Sequence, residues 1–346
     1  MRVAVVAPPW VAVPPPAYGG TELVLDSLCR ALSGAGHDVL LCTTGDSTCP
    51  VERAWTYEAA LGTDGAGPAQ EMHHVIAAYE AIRAWRPDIV HDHTLFGPFY
   101  ADRYPELTVV TTNHGPFEGE LASLYRAVAD RVAVLAISSD QASRASGLLP
   151  LAVVHHGVDV ASYPVGDGGG GYALCLGRMC PDKGIRAAVE VARAAGAPLR
   201  IAAKAAEPLE QAYFAAEVEP LLGGNIEYLG EVGGDEKLEL LGGAACLLNP
   251  IQWPEPFGMV MIEALACGTP VVGTPWGAAP EIVDDGVTGY LRDDHESLVT
   301  ALGQVPDLDR RACRAAAEER FSSTRMAADH VRAYAAALSR TPVRAA

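Results

Sequence analysis

Two glutamates eight positions apart mark the most informative segment of the sequence. Glu255 stands in a proline-rich loop, and Glu263 is the only charged residue between Phe257 and Cys267. A carboxylate among Met, Val, Ile, Ala and Leu side chains is unfavourable unless polar partners are supplied. The paired hydroxyl groups of a ribose would supply them. We therefore predict that Glu263 binds a ribose and that Glu255 lies beside the same opening.

The helix that carries Glu263 is predicted to begin just after Gly258. Prolines precede this point, and a helix start leaves free N–H groups that attract phosphate. The alternative is that Glu255 is a solvated loop charge and Glu263 part of a polar helix face, but this helix has no polar face. The residues expected to bind a phosphorylated donor at this helix start are Phe257, Gly258, Met259 and Val260.

Two cations, Arg178 and Lys183, follow the first predicted strand of the second half of the chain. Open α/β sheets bind ligands at the carboxyl ends of their strands. Arg178 is suited to a bidentate contact with a diphosphate, and Lys183 to acting as a mobile point charge. The alternative is a surface arginine and a helix-start lysine that pairs with Asp182. Both cations are candidates for neutralising a diphosphate.

Gly19 and Gly20 lie where the first strand leads through a proline-rich loop into the first helix. Backbone amides there could approach a phosphate or a sugar, although a plain turn is an equal alternative. The pattern is not Gly-x-Gly-x-x-Gly, which disfavours a nicotinamide-dependent dehydrogenase.

Histidines cluster at predicted strand ends: His91 and His93 flank Asp92, His114 follows another strand, and His155–His156 precede Gly157. Two alternatives remain open. One is a histidine that hydrogen-bonds a bound sugar. The other is a metal site for hydrolysis built from His91, Asp92, His93 and His114.

The elements that must position these residues are short β-branched runs alternating with alanine-rich helices, which predict parallel sheets covered by helices. A run of four glycines, 168–171, indicates a domain boundary. We predict two similar α/β domains, 1–160 and 161–323, and a helix at 324–346. The segment 50–70 is a candidate acceptor-side loop, with a bare surface loop as the alternative.

Composition narrows the function further. The 346 residues carry a formal net charge of −18, which disfavours nucleic acid as a partner. No apolar run is long enough for a membrane span, and the apolar run Val3–Ala7 is too short for a signal-peptide core. The eight scattered cysteines are typical of reduced core residues. We expect a cytoplasmic protein without metal or other cofactor.

Taken together, these motifs resemble those of the retaining GT-B glycosyltransferases of the large family four. The resemblance extends over almost the whole chain, and Glu-x7-Glu is its most specific part. The sequence is also similar to secondary-metabolite glycosyltransferases of actinomycetes, including those of antibiotic pathways such as the avilamycin pathway. The matching segments are Tyr18–Glu22, Asn113–Gly115, Gly157–Asp159, Leu176–Arg178, Lys183–Gly184 and Glu255–Glu263.

The resemblance implies an α/β GT-B fold, with two Rossmann-like domains facing across a cleft, and a metal-independent enzyme that retains anomeric configuration. The second domain would bind a nucleotide diphosphate sugar, with UDP as the first nucleotide to consider. The first domain would bind a small-molecule or oligosaccharide acceptor, and the C-terminal helix, 324–346, would return to this domain. By the same resemblance Glu263 would hold the ribose and Glu255 would lie by the sugar. Arg178 and Lys183 would neutralise the diphosphate.

In the first domain the resemblance implies that His114 hydrogen-bonds the donor sugar and that Gly19 and Gly20 border the phosphates. One departure is His156, where the family has Asn, so no role is carried over to that position. Alternatives to glycosyl transfer are a GT-B nucleotide-sugar epimerase or hydrolase, a nucleotide-sugar sensor and the metal-dependent hydrolase. The residues leave the base, the sugar, the acceptor and the oligomeric state open.

Overall fold

The computed structural model describes residues 1–62 and 67–340. These residues form two compact units. Unit 1 contains Met1–Pro15, Gly19–Val158 and the chain from Ser323 onward, and unit 2 contains Pro16–Tyr18 and Asp159–Ser322.

Unit 1 is built on a seven-stranded parallel sheet in the order β3-β2-β1-β4-β5-β6-β7. The central strands are rich in valine and, apart from Arg2, buried, as expected for a sheet covered on both faces. Val90 and Ile82 belong to the core on one face. The strands are β1 (Arg2–Val6), β2 (Asp38–Thr43), β3 (Glu52–Trp55), β4 (Ile89–Asp92), β5 (Val109–Thr112), β6 (Ala133–Ala136) and β7 (Ala152–Val153).

The helices of the first part of unit 1 connect these parallel strands. They are α1 (Gly20–Gly34), α2 (Pro68–Trp85), α3 (Gly97–Tyr100), α4 (Gly119–Val128) and α5 (Ser139–Arg144).

Unit 2 has a six-stranded parallel sheet in the order β10-β9-β8-β11-β12-β13. The strands are β8 (Ala173–Arg178), β9 (Leu199–Lys204), β10 (Ile226–Gly230), β11 (Cys246–Asn249), β12 (Val271–Gly273) and β13 (Gly289–Leu291). Its helices are α6 (Ile185–Ala195), α7 (Pro208–Tyr213), α8 (Gly234–Gly243), α9 (Met259–Ala266), α10 (Ala279–Ile282), α11 (His295–Gln304) and α12 (Arg310–Arg320).

The last helix, α13 (Ser323–Ser339), belongs to unit 1 and packs against α1. It brings His330 and Tyr334 into the interior of that unit. A helix was predicted at 324–346, and α13 confirms it as far as Ser339, whereas residues 341–346 lie outside the described part of the chain.

The segment 50–70 differs from the prediction of a loop. Residues 52–55 form β3, an edge strand paired with β2, and α2 begins at Pro68. The sequence Glu-Arg-Ala-Trp has no apolar run because an edge strand is only half buried. Residues 63–66 of this segment lie outside the described part of the chain.

The prediction of reduced cysteines is confirmed. All eight are free thiols, seven of them are buried, and Cys180 is partly exposed. Within the described residues, no helix has the length and apolar character needed to cross a membrane.

Candidate functional site

Both sheets reverse their strand order beside the first strand of the unit, and the predicted site residues gather there. In unit 2, β9 lies on one side of β8 and β11 on the other. Such a switch point leaves a crevice at the carboxyl ends of the two central strands. Lys183 follows β8 and Glu255 follows β11, so the topology brings two residues 72 positions apart to the same crevice.

Lys183 and Glu255 form a buried ion pair. Lys183 Nζ donates a short hydrogen bond to Glu255 Oε1. Burial alone would lower the pKa of Lys183, but Glu255 and Tyr18 outweigh it and raise that pKa. The prediction of a mobile lysine is therefore wrong, and so is the alternative pairing with Asp182, because the ammonium is held by Glu255.

The second oxygen of Glu255 has no hydrogen-bond partner among the described residues, although it is buried. A methyl group built on Gly258 would lie 3.6 Å from this Oε2 atom, which places the oxygen beside the start of α9. A buried acceptor without a donor is costly in a folded protein. The arrangement thus leaves one carboxylate oxygen available for a ligand hydroxyl.

Two glycines hold the loops that carry this pair. Gly184 has a φ of +65°, and a side chain there would collide with the carbonyl oxygen of Pro250 at 1.9 Å. Gly277 has a φ of +59° and lies in the same way against the backbone of Glu255, where a Cβ would be 2.1 Å from the carbonyl oxygen. Only glycine tolerates such a close approach together with a positive φ.

Arg178, at the end of β8, has a partner that the sequence did not reveal. Its Nη1 lies 3.8 Å from Glu210 Oε1. The other oxygen of Glu210 accepts hydrogen bonds from the backbone N–H groups of Ala206 and Glu207, so the carboxylate is fixed at the start of α7. The side chain of Arg178 is 39% exposed. It is therefore both oriented and open to a ligand, while Tyr18 lies close by.

Glu263 has polar partners within the protein, although its apolar neighbours in the sequence suggested an isolated charge. Lys237 Nζ, on α8, donates to Glu263 Oε1 at 2.6 Å, and the Tyr163 hydroxyl donates to the same oxygen at 3.0 Å. Ribose hydroxyls were expected to supply the polar partners of this carboxylate, and the structure shows that the protein itself already supplies two of them. The small number of lysines was the sequence feature that could have indicated this partner. The chain has three lysines, and two of them contact the two predicted glutamates.

The helix carrying Glu263 begins where it was predicted. α9 starts at Met259 after Gly258, whose φ of +100° turns the chain into the helix. Phe257 is buried, whereas Met259 and Val260 are partly exposed. The start of α9 lies beside Glu255, since a Cβ on Gly258 would be 3.6 Å from Glu255 Oε2.

Five histidines form a continuous cluster in unit 1. Ring centroids are 3.9 Å apart for His91 and His93, 5.1 Å for His93 and His114, and 5.2 Å for the stacked pair His114 and His156. His330 of α13 lies 5.1 Å from His91. His91 lies near the end of β4, and His93, His114 and His156 follow β4, β5 and β7 at the same edge of the parallel sheet. The fifth comes from α13, the helix that the family resemblance expects to return to the first domain.

Burial keeps this cluster uncharged at neutral pH. It lowers the pKa of His114 and of His330 to about 4. The pKa values of His91, His93 and His156 are lowered well below the usual range by burial and by neighbouring imidazoles. Neutral rings donate through one nitrogen and accept through the other.

The predicted alternative of a metal site at these residues finds no support. His91 uses both ring nitrogens, one with the Tyr334 hydroxyl and one with Thr112 Oγ1, each at 2.8 Å. Asp92 accepts a hydrogen bond from the Tyr79 hydroxyl at 2.8 Å. Across residues 1–62 and 67–340 no group of three or more His, Cys, Asp or Glu side chains is arranged to hold a metal ion.

The loop that carries His114 is held by Gln141, a residue not singled out in the sequence. Gln141 Nε2 donates to the carbonyl oxygens of Asn113 and Gly115 at 2.9 and 2.6 Å. Asn113 Oδ1 also accepts from the Gly115 N–H at 2.9 Å. His93 Nδ1 lies 2.8 Å from His114 Nε2. Gln141 thus fixes the backbone on both sides of His114, and His93 orients its ring.

Gly19 and Gly20 lie at the start of α1, as predicted. A Cβ on Gly19 would be 2.6 Å from the Pro15 side chain and 3.0 Å from Glu22 Oε2, so there is no space for one. Glu22 is buried, and this burial raises its pKa to about 7. The turn is therefore a close-packed one rather than an open surface loop.

Comparison with known proteins identifies two family domains that together cover most of the chain. Residues 18–162 match Glycosyltransferase Family 4, and residues 170–306 match Glycosyl transferases group 1. The chain is therefore a glycosyltransferase made of a Family 4 domain and a group 1 domain.

Individual relatives agree with this assignment. The chain is 27% identical to the glycogen synthase of Mycobacterium tuberculosis, over 93% of this chain and 91% of that one. It is 27% identical to the phosphatidyl-myo-inositol mannosyltransferase of Mycolicibacterium smegmatis, over 90% and 86%. The solved structure of AviGT4, a glycosyltransferase involved in avilamycin A biosynthesis, matches with 26% identity and a TM-score of 0.75 over 99% of both chains. The two parallel-sheet units are those of the GT-B fold, as predicted.

Proposed function

We propose that this glycosyltransferase moves a sugar from a nucleotide diphosphate sugar to a small-molecule or oligosaccharide acceptor, with retention of anomeric configuration and without a metal ion. The single observation that carries the proposal is the buried Lys183–Glu255 pair, with its unpartnered oxygen Glu255 Oε2 beside the start of α9. It offers a cation, an acceptor and free backbone N–H groups in one place.

Charge neutralisation of the diphosphate is assigned to Lys183 and Arg178. An ammonium has three N–H donors, so Lys183 can hold Glu255 and still contact phosphate oxygens. Arg178, held near Glu210, can make a bidentate contact. The N–H groups at the start of α9, around Gly258, Met259 and Val260, add donors. Together they take the place of a divalent cation.

The remaining contacts of the donor are assigned to three side chains. Glu263 binds the ribose, Glu255 Oε2 accepts a hydroxyl group of the transferred sugar, and His114 hydrogen-bonds that sugar. Gly19 and Gly20 allow close approach of backbone amides to the phosphates. UDP is the first nucleotide to test.

The transfer step needs no carboxylate nucleophile. The acceptor hydroxyl oxygen forms a bond to the anomeric carbon on the face from which the diphosphate leaves. The bond between that carbon and the diphosphate oxygen breaks, its electron pair stays on the phosphate, and a phosphate oxygen takes the acceptor proton. The products are the glycosylated acceptor and the nucleoside diphosphate, and Glu255 serves as a binding residue.

The biological setting we propose is antibiotic or other secondary-metabolite biosynthesis in the cytoplasm. The full-length likeness to AviGT4, which acts in avilamycin A biosynthesis, supports the pathway type. The free thiols support a reducing compartment.

Calorimetric titration with UDP, GDP, dTDP and NAD, each with and without EDTA, tests the donor site. We expect one nucleoside diphosphate to bind with about micromolar affinity in the presence of EDTA. Glu263→Gln should weaken this binding by about 1–3 kcal/mol, whereas Glu239→Gln, an exposed glutamate on α8, should not. Binding of NAD alone, or binding lost on adding EDTA, would contradict the proposal.

A further inference from the structure

A pocket lies in unit 1 between helix α2 and the neighbouring strands β2 and β3. Its volume is about 40 Å³, which is room for on the order of three water molecules or a short alkyl chain. Voids of this size are few in a protein interior. The pocket is lined mainly by small side chains, and its residues are Cys42, Ala54, Trp55, Thr56, His74, Ala77, Ala78 and Ala81.

The pocket exists because small side chains meet on both of its sides. Its four residues on α2 are spaced i, i+3, i+4 and i+7, so they share one face of the helix, and three of them are alanines. Cys42 of β2 and Ala54 of β3 are register partners, so their side chains lie on the same face of the sheet. Helix and sheet therefore leave a gap that no long aliphatic side chain fills.

His74 supplies an unpaired polar atom to this pocket. Its Nε2 lies 2.9 Å from the carbonyl oxygen of Ala7, and because a carbonyl only accepts, Nε2 carries the proton and Nδ1 is an acceptor. Burial lowers the pKa of His74 to about 4, so the ring is neutral at pH 7. His74 is 1% exposed, and Nδ1 has no partner among the described residues. The pocket thus offers one acceptor that lacks a donor.

The pocket adjoins the edge of the sheet that carries the other site residues of unit 1. Ala7 directly follows β1, which lies next to β4 in the sheet. The N–H group of His93, after β4, donates to the carbonyl oxygen of Val6 at 3.0 Å. The hydrogen-bonded end of His74 is therefore one strand away from His93. Trp55 is 48% exposed, so the lining of the pocket reaches the protein surface.

We infer that this pocket binds a short, uncharged alkyl group that carries one hydroxyl, which donates a hydrogen bond to His74 Nδ1. The alkyl part occupies the space that the alanines leave. An alkylammonium group is a poor ligand, because none of the lining residues is acidic and the burial of its charge would not be offset. The inference goes beyond the proposed function, since it concerns unit 1 alone and involves no residue of the donor site.

Two isomeric probes test the inference on the unmodified protein, labelled with ¹³C at its alanine methyl groups. Butan-1-ol and diethyl ether contain the same atoms, but only the alcohol has an O–H donor. NMR signals of the four alanines that line the pocket should shift saturably with butan-1-ol, with a Kd of about 1–10 mM. Diethyl ether should bind about fivefold more weakly or worse.

Three other outcomes of this titration would overturn the inference. Equal affinities for the two probes would mean that no hydroxyl is recognised. The absence of any shift would mean that the pocket holds water only. Shifts that grow linearly and alike at all alanines would show a solvent effect instead of a site.

Ala77→Leu tests the location of the site. A leucine at this position would fill the pocket while keeping a residue that favours a helix, so both probes should bind at least about tenfold more weakly. Ala84→Leu, at an exposed position of the same helix, is the matched control and should bind both probes as the unmodified protein does. If Ala77→Leu folds, as circular dichroism would show, and binds butan-1-ol unchanged, the pocket is not the site.

His74→Phe tests the hydrogen bond. A phenyl ring keeps the approximate shape of the side chain and removes the acceptor, so the preference for butan-1-ol over diethyl ether should fall from about fivefold to about one. Both probes are measured on the same protein, so a general loss of stability does not alter this ratio. His73→Phe, which changes the exposed neighbour, should keep the preference. A preference that survives in His74→Phe would show that another group binds the hydroxyl.

Discussion

His93 and His114 share a hydrogen bond between their rings, with His93 Nδ1 lying 2.8 Å from His114 Nε2. This leaves His114 Nδ1 as the ring nitrogen with which His114 can contact a sugar. His93 Nε2 is buried and has no partner among the described residues. An unpaired buried N–H is rarer than an unpaired acceptor. The favoured arrangement therefore has the proton on His93 Nδ1, which makes His114 Nδ1 a donor.

Replacement of His93 should lower turnover without affecting nucleotide binding. In His93→Phe, the His114 ring loses the partner that fixes its orientation and tautomer, and we expect kcat to fall about tenfold or more. The KM for the donor should change less than about twofold, since the donor contacts that we propose lie mainly in unit 2. Steady-state kinetics measures both.

His73→Phe is the control, because His73 contacts only Tyr57 at the surface in the bonds described. An unchanged kcat in His93→Phe would show that the ring contact has no part in the reaction.

Acidification should destabilise unit 1. The pKa of His114 and His330 is about 4 in the fold and about 6.5 in an unfolded chain. A depressed pKa stabilises the fold above pH 6.5, and this stabilisation is lost as the pH falls from 6.5 toward 4. Between pH 7 and pH 5, each of the two residues should reduce the free energy of unfolding by on the order of 2 kcal/mol.

Urea denaturation at pH 7, 6 and 5 measures this loss. His330→Phe should show a shallower dependence on pH than the unmodified protein. Equal slopes for the two would mean that His330 is not neutral in the fold.

Separate removal of Lys183 and Glu255 should distinguish stability from binding. Lys183→Met leaves a buried, unpaired carboxylate and should cost about 3–5 kcal/mol of stability, with loss of diphosphate affinity. The double variant Lys183→Met with Glu255→Gln removes both charges, so most of the stability should return while the affinity stays low. Denaturation and calorimetry on both variants check this. Recovery of affinity in the double variant would mean that Lys183 does not bind the diphosphate.

Replacement of Glu210 should reduce the preference of the site for a diphosphate over a monophosphate, because Glu210 orients Arg178. Glu210→Gln weakens the hold on the guanidinium, and we expect the ratio of UDP to UMP affinity to fall by about threefold or more. Glu217→Gln, which changes an exposed carboxylate paired with Arg186, is the control. The idea fails if both variants discriminate between UDP and UMP as the unmodified protein does.

The fold was largely readable from the sequence because strands buried on both faces give continuous apolar runs, as in β1 and β5. The edge strand β3 could not be predicted in this way, since its Glu-Arg-Ala-Trp sequence has neither an apolar run nor a regular alternation of polar and apolar residues. Glu263 stood out as a lone charge in an apolar helix. Its partner Lys237 lies on another helix, and no local pattern indicates which face of α8 meets α9.

The histidines show the same limit. Strand ends are recognisable, so the meeting of His91, His93 and His114 follows from a parallel sheet. His330 enters the cluster from a helix more than 200 residues later, which only the packing of α13 determines.

The cysteine distribution has a practical consequence for spectroscopy. Across residues 1–62 and 67–340, Cys180 is the one thiol that is not buried, and it stands between Arg178 and Lys183 in the sequence. A maleimide dye added to the folded protein should therefore attach at a single position beside the two cations. Such a label would report ligand arrival as a change in fluorescence, with no cysteine to be removed beforehand.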